Sequence, residues 1–320
     1  MRQSTKKIRH IVCLGGGNAM PKTVLAGLKE KPVRLSVICS MLDSGGSSGR
    51  LRKEYKINSP GDIRRSLLAL SNTTSELKNL FNYRFTSGSL KGHNFANLLI
   101  TAFELSSNNY ERVLREIKKI LNIKHRVLPA TLDKGDLYAV LENGKVIKGE
   151  TDIDIPKHNG SLRIKKVYLK PDVFAYPESV RAIKSADLII IGPGDLFSSL
   201  AQILLTKGMA EAIRKSKAKT VYICNLMQKH GETDNFSVKS FAAEIEKLLG
   251  KELDYVIYNS KKPNRKMISF CKKNNPELLR PVAADGDLQK PKFIGKDLLR
   301  SDGSLVHDPK KLANAILSIK

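Results

Sequence analysis

Short apolar runs alternate with stretches whose apolar residues recur every three or four positions, the pattern of a parallel sheet covered by helices. Ile8 to Leu14 and Val33 to Met41 read as the first two buried strands. Between them, Met20 to Lys29 carries Val24, Leu25 and Leu28 at helical spacing, and Pro32 marks the exit. A long glycine and serine loop follows the second strand. Ser59-Pro60-Gly61-Asp62 then reads as a helix start, with a capping serine, proline at the first helical position and an acid in the first turn. That helix runs to about Leu70, and Phe95 to Leu105 and Tyr110 to Leu121 predict two more.

The pattern changes from Arg126 to Lys170, where strand-like runs flank an Asn143-Gly144 hairpin signal. Residues 126–170 are expected to form a small β-rich insertion, serving as a lid or a contact in a homodimer. Alternation then resumes, with Asp187 to Ile191 a strand, Gly208 to Lys215 a helix, Thr220 to Leu226 a strand, Phe236 to Leu249 a helix and Asp254 to Tyr258 a strand. The expectation is a single α/β domain over residues 1–320 carrying that insertion.

Composition narrows the class. No apolar stretch has the length of a bilayer span, and 41% hydrophobic with 27% charged residues is ordinary for a soluble protein. The basic start and the short run Ile11 to Leu14 imitate a signal peptide, but the run ends in glycines without a cleavage pattern. Four cysteines, Cys13, Cys39, Cys224 and Cys271, lie far apart with no paired spacing. Reduced core thiols in a cytoplasmic protein are expected. The net charge of +25 raises the question of a polyanionic partner, yet Lys6-Lys7, Arg163 to Lys166, Arg214 to Lys219 and Lys261 to Lys266 are scattered and carry few aromatics between them. A solvated basic surface is expected rather than a nucleic-acid site.

Three loops carry the candidate chemistry, each entered from an apolar strand. In such places glycine lets backbone N–H groups approach an anion that a Cβ would hold away. Gly15-Gly16-Gly17-Asn18 closes the first strand; it matches neither G-x-G-x-x-G nor Walker A and is expected to touch phosphate. Asp43 follows the second strand, where a ribose hydroxyl is commonly held, and Gly45-Gly46-Ser47-Ser48-Gly49-Arg50 adds donors. Gly45-x-Ser47-x-Gly49 imitates a hydrolase elbow with His93 and Asp62 as partners, but two residues precede the glycines and the histidine comes early. The third loop is Gly192-Pro193-Gly194-Asp195, followed by Ser198; Asn225, Glu232 and Thr233 are expected beside it, converging at the strand ends. His93, with Asn94 and Asn97, precedes a buried helix, where a structural role competes with a functional one.

Taken in order, GGG at Gly15, DSGGSSGRLR from Asp43, SPGDIRRSLLAL from Ser59 (with Asp62 and Arg64), YRF from Tyr83, GHNFANLL from Gly92, LPAT from Leu128, GPGDLFSS from Gly192, NLM and GET from Asn225, and HDPKKLA from His307 resemble the YvcK family. These gluconeogenesis factors are related to the phospholactate transferase CofD. The resemblance implies a Rossmann-like, doubly wound, mainly parallel sheet and a cytoplasmic bacterial protein that binds UDP-sugars such as UDP-N-acetylglucosamine. It also implies roles in carbon metabolism and cell-wall or cell-shape control. The transferase branch instead moves a phospholactyl group from a guanosine-linked donor, using metal, so a transferase with Asp43 and Asp62 as metal or acid groups stays open, and magnesium with it. Departures from the family fall at Asn18-Ala19 after the glycines, Ser44 in place of a second acid, Ile203, Gln228-Lys229-His230 and Val306.

Overall fold

A computed structural model describes residues 8–107, 109–285, 288 and 291–319. The Lys6-Lys7 cluster lies outside them. In chain order the elements are β1 (Arg9–Leu14), a π-helical turn (Pro21–Leu25) continuing into α1 (Ala26–Leu28), β2 (Val33–Cys39), α2 (Gly46–Tyr55), α3 (Gly61–Leu70), α4 (Ser75–Asn82), α5 (Phe95–Ser107), α6 (Tyr110–Ile120) and β3 (Arg126–Pro129). Next come β4 (Asp136–Leu141), β5 (Val146–Lys148), α7 (Glu150–Asp154), β6 (Ile164–Lys170), α8 (Pro177–Lys184) and β7 (Leu188–Ile191). A second π-helical turn (Leu196–Leu200) leads into α9 (Ala201–Leu205), then α10 (Met209–Lys215), β8 (Lys219–Ile223), β9 (Met227–Lys229), α11 (Val238–Leu249), β10 (Tyr255–Asn259), α12 (Arg265–Asn274), β11 (Leu278–Pro281), β12 (Phe293–Lys296) and α13 (Pro309–Leu317).

Seven strands form one sheet in the order β12-β10-β8-β7-β1-β2-β3, and every pairing in it is parallel. Parallel strands need both faces covered, and β7 at the centre is accordingly apolar and buried at every position. Ile11 and Cys13 of β1, with Leu188 and Ile190 of β7, face a core shared with α1, α3, α5, α6 and α13. Val12, Leu14, Ile189 and Ile191 face the other, shared with α8 to α11 and the insertion. The chain winds outward from β1 in one direction and from β7 in the other. The crevice between their carboxyl ends is therefore the place where a doubly wound sheet receives a ligand.

Three expectations change. The segment after β2 is not a loop: Gly46–Tyr55 is helical, because Gly45 supplies an extended N-terminal boundary and Leu51 finds a buried site. α3 begins at Gly61 with Pro60 as its boundary residue, one step later than a Ser59 cap predicts. Arg126–Pro129 belongs to the main sheet, paired in parallel with β2, so the antiparallel insertion starts at β4. There β5-β4-β6 form a three-stranded sheet turning at Gly144, as the Asn143-Gly144 signal predicts. All four cysteines are buried and free, as expected.

α13 seals one face by packing on α1, where Gly27 leaves no room: an added Cβ would stand 2.1 Å from the Pro309 carbonyl oxygen. Gly27→Ala is expected to cost about 1–3 kcal/mol through overpacking, read as a lowered midpoint of thermal unfolding. An unchanged midpoint would show that α13 moves aside freely.

Candidate functional site

A cavity of about 590 Å³ opens at the carboxyl ends of β1, β2, β7 and β8. Gly16, Gly17 and Asn18 form one wall, and Pro193, Gly194 and Asp195 the opposite one. Asn225 holds the second wall in shape by a two-way amide pair: Gly194 N donates to its Oδ1 (3.3 Å) and its Nδ2 donates to the Gly194 carbonyl (2.9 Å). The first wall is fixed by Asp62. Its Oδ1 accepts the Gly17 N–H at 2.9 Å, and its other oxygen lies so close to Gly16 that a Cβ there would come within 1.7 Å. Gly17 itself has a φ of +62°, which favours glycine. Gly15 N–H donates to Ile38 O (3.1 Å). Among the described residues, the N–H groups of Gly16 and Asn18 keep no protein acceptor, and they are the loop's free donors.

Beside this wall stands a carboxylate cluster. Arg65 bonds Asp62 at 2.5 Å and lies 3.8 Å from Asp43. Asp43 Oδ1 accepts the Gly45 N–H (2.8 Å), and Glu150 from α7 accepts the Ser44 N–H (3.1 Å). Burial, then the Asp43 charge, pushes Glu150 up to about 8, so it carries a proton at neutral pH. Burial and the Asp62 charge raise Asp43 as well. A second cluster lies across the cavity, where the Lys229 ammonium bonds Asp154 and stands 3.2 Å from Glu232 and 3.3 Å from Asp195. Glu232 Oε2 accepts the N–H groups of Phe197 and Ser198 (3.0 Å each) at the start of the π-helical turn. Thr233 Oγ1 accepts the Lys229 N–H (2.9 Å) and shapes the turn. Burial carries Asp195 up to about 7, although Lys229 pulls it down.

The ligand oxygens of Asp154, Asp195 and Glu232 lie within 4.8 Å of one another, a spacing that suits a divalent ion. The Lys229 ammonium already stands among them, and Arg65 already stands between Asp43 and Asp62. A divalent ion at the triad would have to displace the Lys229 ammonium.

Of the residues expected from the sequence, Gly16, Gly17, Asn18, Asp43, Gly45, Gly46, Asp62, Pro193, Gly194, Asp195, Ser198 and Asn225 line the cavity. Glu232 and Thr233 stand behind it, supporting Lys229, and Gly15, Gly49 and Gly192 are outside the lining. Ser47, Ser48, His93, Asn94 and Asn97 make a buried polar net instead: Ser47 Oγ accepts Asn94 N and Asn97 Nδ2 (3.2 Å each) and meets His93 Nδ1 at 3.3 Å. The net ties α2 to the start of α5. Arg50 and Arg64 lie outside the cavity as well. Sequence reasoning missed Lys22, Arg65, Glu150, Asp154 and Lys229 as wall residues. Lys229 gave a signal as a departure from a family pattern, and Arg65 as part of the SPGDIRRSLLAL run. His307 also lines the cavity; burial lowers it to about 4, and its Nε2 is buried without a partner.

The fold and cavity define a doubly wound α/β protein of the family described as 2-phospho-L-lactate transferase CofD, whose profile matches residues 11–299. Within it, the chain belongs to the gluconeogenesis factors, the YvcK or UPF0052 branch. It is 36% identical over 319 residues to the gluconeogenesis factor of Bacillus subtilis, covering 97% of both chains. The gluconeogenesis factor of Halalkalibacterium halodurans is likewise 36% identical over 322 residues, covering 98% of this chain and 97% of the other. A crystal structure of a UPF0052 family member from Bacillus halodurans superposes with a TM-score of 0.90 at 35% identity, over 97% of this chain and all of that one.

The raised carboxyl groups make stability depend on pH. Glu150 titrates near 8 in the folded protein but at about 4.3 when unfolded. The folded state therefore holds the extra proton between these values, and stability falls as pH rises through that window. Glu150→Gln keeps a donor toward Asp43 without the ionisation. It is expected to leave the unfolding midpoint nearly unchanged at about pH 5 and to raise it by roughly 2–4 °C at about pH 8. Identical slopes in the two proteins would mean that Glu150 is ionised throughout.

Proposed function

We propose that the chain is a regulator that binds a nucleotide sugar of the UDP-N-acetylglucosamine kind in this cavity. Its place is the cytoplasm, and its output is the control of carbon metabolism and cell shape. The observation that carries the reading is the cavity itself: about 590 Å³ at the switch point of the sheet, within the size range of small-molecule sites. Its chemistry is complementary to such a ligand. The free Gly16 and Asn18 N–H groups and the exposed Lys22 ammonium supply donors for a diphosphate. Asp43 supplies an acceptor for ribose hydroxyls. Binding by this arrangement is expected without magnesium, because Arg65 and Lys229 already place cationic groups among the carboxylates.

α7 is the natural reporter of occupancy. Its first residues hold Ser44, where Ser44 Oγ and Thr151 Oγ1 lie 2.9 Å apart, and its last bonds Ser198 and Lys229. A ligand entering between these two anchors biases the polar contacts of α7 between made and released states.

The family's transferase description favours one rival, a phospholactate-transferase-like enzyme acting on a nucleotide-linked donor. A thermal-shift series separates the two. UDP-N-acetylglucosamine at about a hundred times its dissociation constant is expected to add about 2.7 kcal/mol of stability, undiminished by a chelator. Lys22→Ala is expected to weaken that binding roughly tenfold. Preference for guanosine diphosphate together with a requirement for magnesium would sink the regulator and support the transferase.

A further inference from the structure

The basic run from Lys261 to Lys266 follows β10, and its first residues border a second cavity, of about 470 Å³, at the carboxyl ends of β8 and β10. Leu226, Val238, Ile268 and Val282 give this cavity apolar walls. The loop after β11 is held against them by backbone pairing: Val282 N–H donates to the Leu226 carbonyl (2.9 Å) and Val238 N–H to that of Ala283 (3.0 Å). The half-buried Tyr258 adds an aromatic surface. It lies over Gly295, its partner on β12, where an added Cβ would stand 2.7 Å from the phenol oxygen, so glycine there leaves the room that the tyrosine occupies. The rim is cationic: Lys261, Lys262 and Arg280 line it, and among the described residues no acid does. Lys261 is paired with Asp297 (3.2 Å). Lys262 has no ion-pair partner among the described residues, and Arg280 spends Nε on Gln228 (3.0 Å) and Nη2 on Asn235, both neutral amides. Two of the three charges thus stand uncompensated beside an apolar space. A bare inorganic anion would use the cations and leave the walls empty, and an uncharged ring would do the reverse.

We propose that this cavity is a second binding site, for a small aromatic ring carrying one anionic group, a carboxylate or a phosphate. The ring packs on Tyr258 between the apolar walls, and its anionic group meets the exposed Lys262 and Arg280 at the rim. The site adjoins the main cavity, because Asn225 and Leu226 stand in the walls of both. Asn225, which holds Gly194 in place on one side, therefore borders the second ligand on the other.

The chain contains no tryptophan, so Tyr258→Trp places a single reporter in the wall of this cavity. The probe is phenyl phosphate, titrated into the full chain at constant ionic strength, with inorganic phosphate and benzyl alcohol as controls for the anion and the ring alone. Phenyl phosphate is expected to change the tryptophan emission to saturation, at concentrations roughly tenfold below any response to either control. Lys262→Glu in the same background is expected to weaken that binding roughly tenfold. Lys262 is exposed, so its replacement leaves folding intact. Lys22→Ala, altered in the main cavity, is expected to leave the titration unchanged. Where Tyr258→Trp fails to fold, thermal unfolding of the chain with its native tyrosine reads the same comparison, as a gain of roughly 2–4 °C with phenyl phosphate that Lys262→Glu abolishes. No response in a cooperatively folded protein, an equal response to inorganic phosphate or benzyl alcohol, binding indifferent to Lys262→Glu, or binding lost in Lys22→Ala would each overturn the proposal; the last would move the probe into the main cavity.

Discussion

Carboxylates that converge on a half-dry cavity repel one another, and the loops around this cavity hold their shape only because that repulsion is cancelled from within the chain. Asp43, Asp62, Glu150, Asp154 and Asp195 line the walls, with Glu232 behind them. Arg65 answers the first group and Lys229 the second, and a proton on Glu150 removes one further charge. Each device has a structural consequence. Asp62, held by Arg65, is free to lock the Gly17 N–H and pack on Gly16, which sets the first glycine wall. Glu232, held by Lys229, is free to receive the first N–H groups of the π-helical turn, which sets the second.

The same arrangement joins the insertion to the main sheet. Its apolar side, through Leu137, Ala139, Val167 and Leu169, belongs to one of the two large cores and fixes the three-stranded sheet in place. α7 is different, since its attachments to the site are mainly polar and run through Glu150, Thr151 and Asp154. Polar contacts facing a wet cavity exchange with water at little net cost, whereas burial of Leu137 does not. α7 is itself pinned to that core by Ile153, so its polar contacts, rather than the helix as a whole, are what exchange readily.

The sheet was legible because periodicity reports burial: Ile189-Ile190-Ile191 can only be a strand covered on both faces, and it is. The glycine loops were legible for the same reason, since each follows such a strand. Gly46–Tyr55 was not, because its glycines and serines have poor helix propensity and the helix depends on tertiary packing. The walls contributed by Glu150 and Asp154 were illegible for a different reason. They reach the cavity from an insertion distant in sequence, and no local pattern distinguishes an acid aimed at a site from one on a solvated turn. His93, Asn94 and Asn97 show the converse: their types suggested chemistry, while their geometry spends nearly every donor on Ser47, Ser48 and the backbone.

Acid-rich walls with tethered cations also bear on selectivity. A free phosphate or bare diphosphate entering the cavity finds donors on the Gly16–Asn18 wall but meets carboxylate oxygens elsewhere, which offer it nothing. A ligand that joins a diphosphate to hydroxyl-bearing rings satisfies both kinds of surface, since hydroxyls donate to carboxylates as well as phosphates accept from N–H groups. Removing Lys229 would change this balance more than removing any single acid, because it would leave three carboxylates within 4.8 Å without a cation. They would then have to capture protons or a metal ion in place of the ammonium. The lysine thus determines which charges the cavity offers to a ligand, and it does so from a position where it also maintains the fold of the second wall.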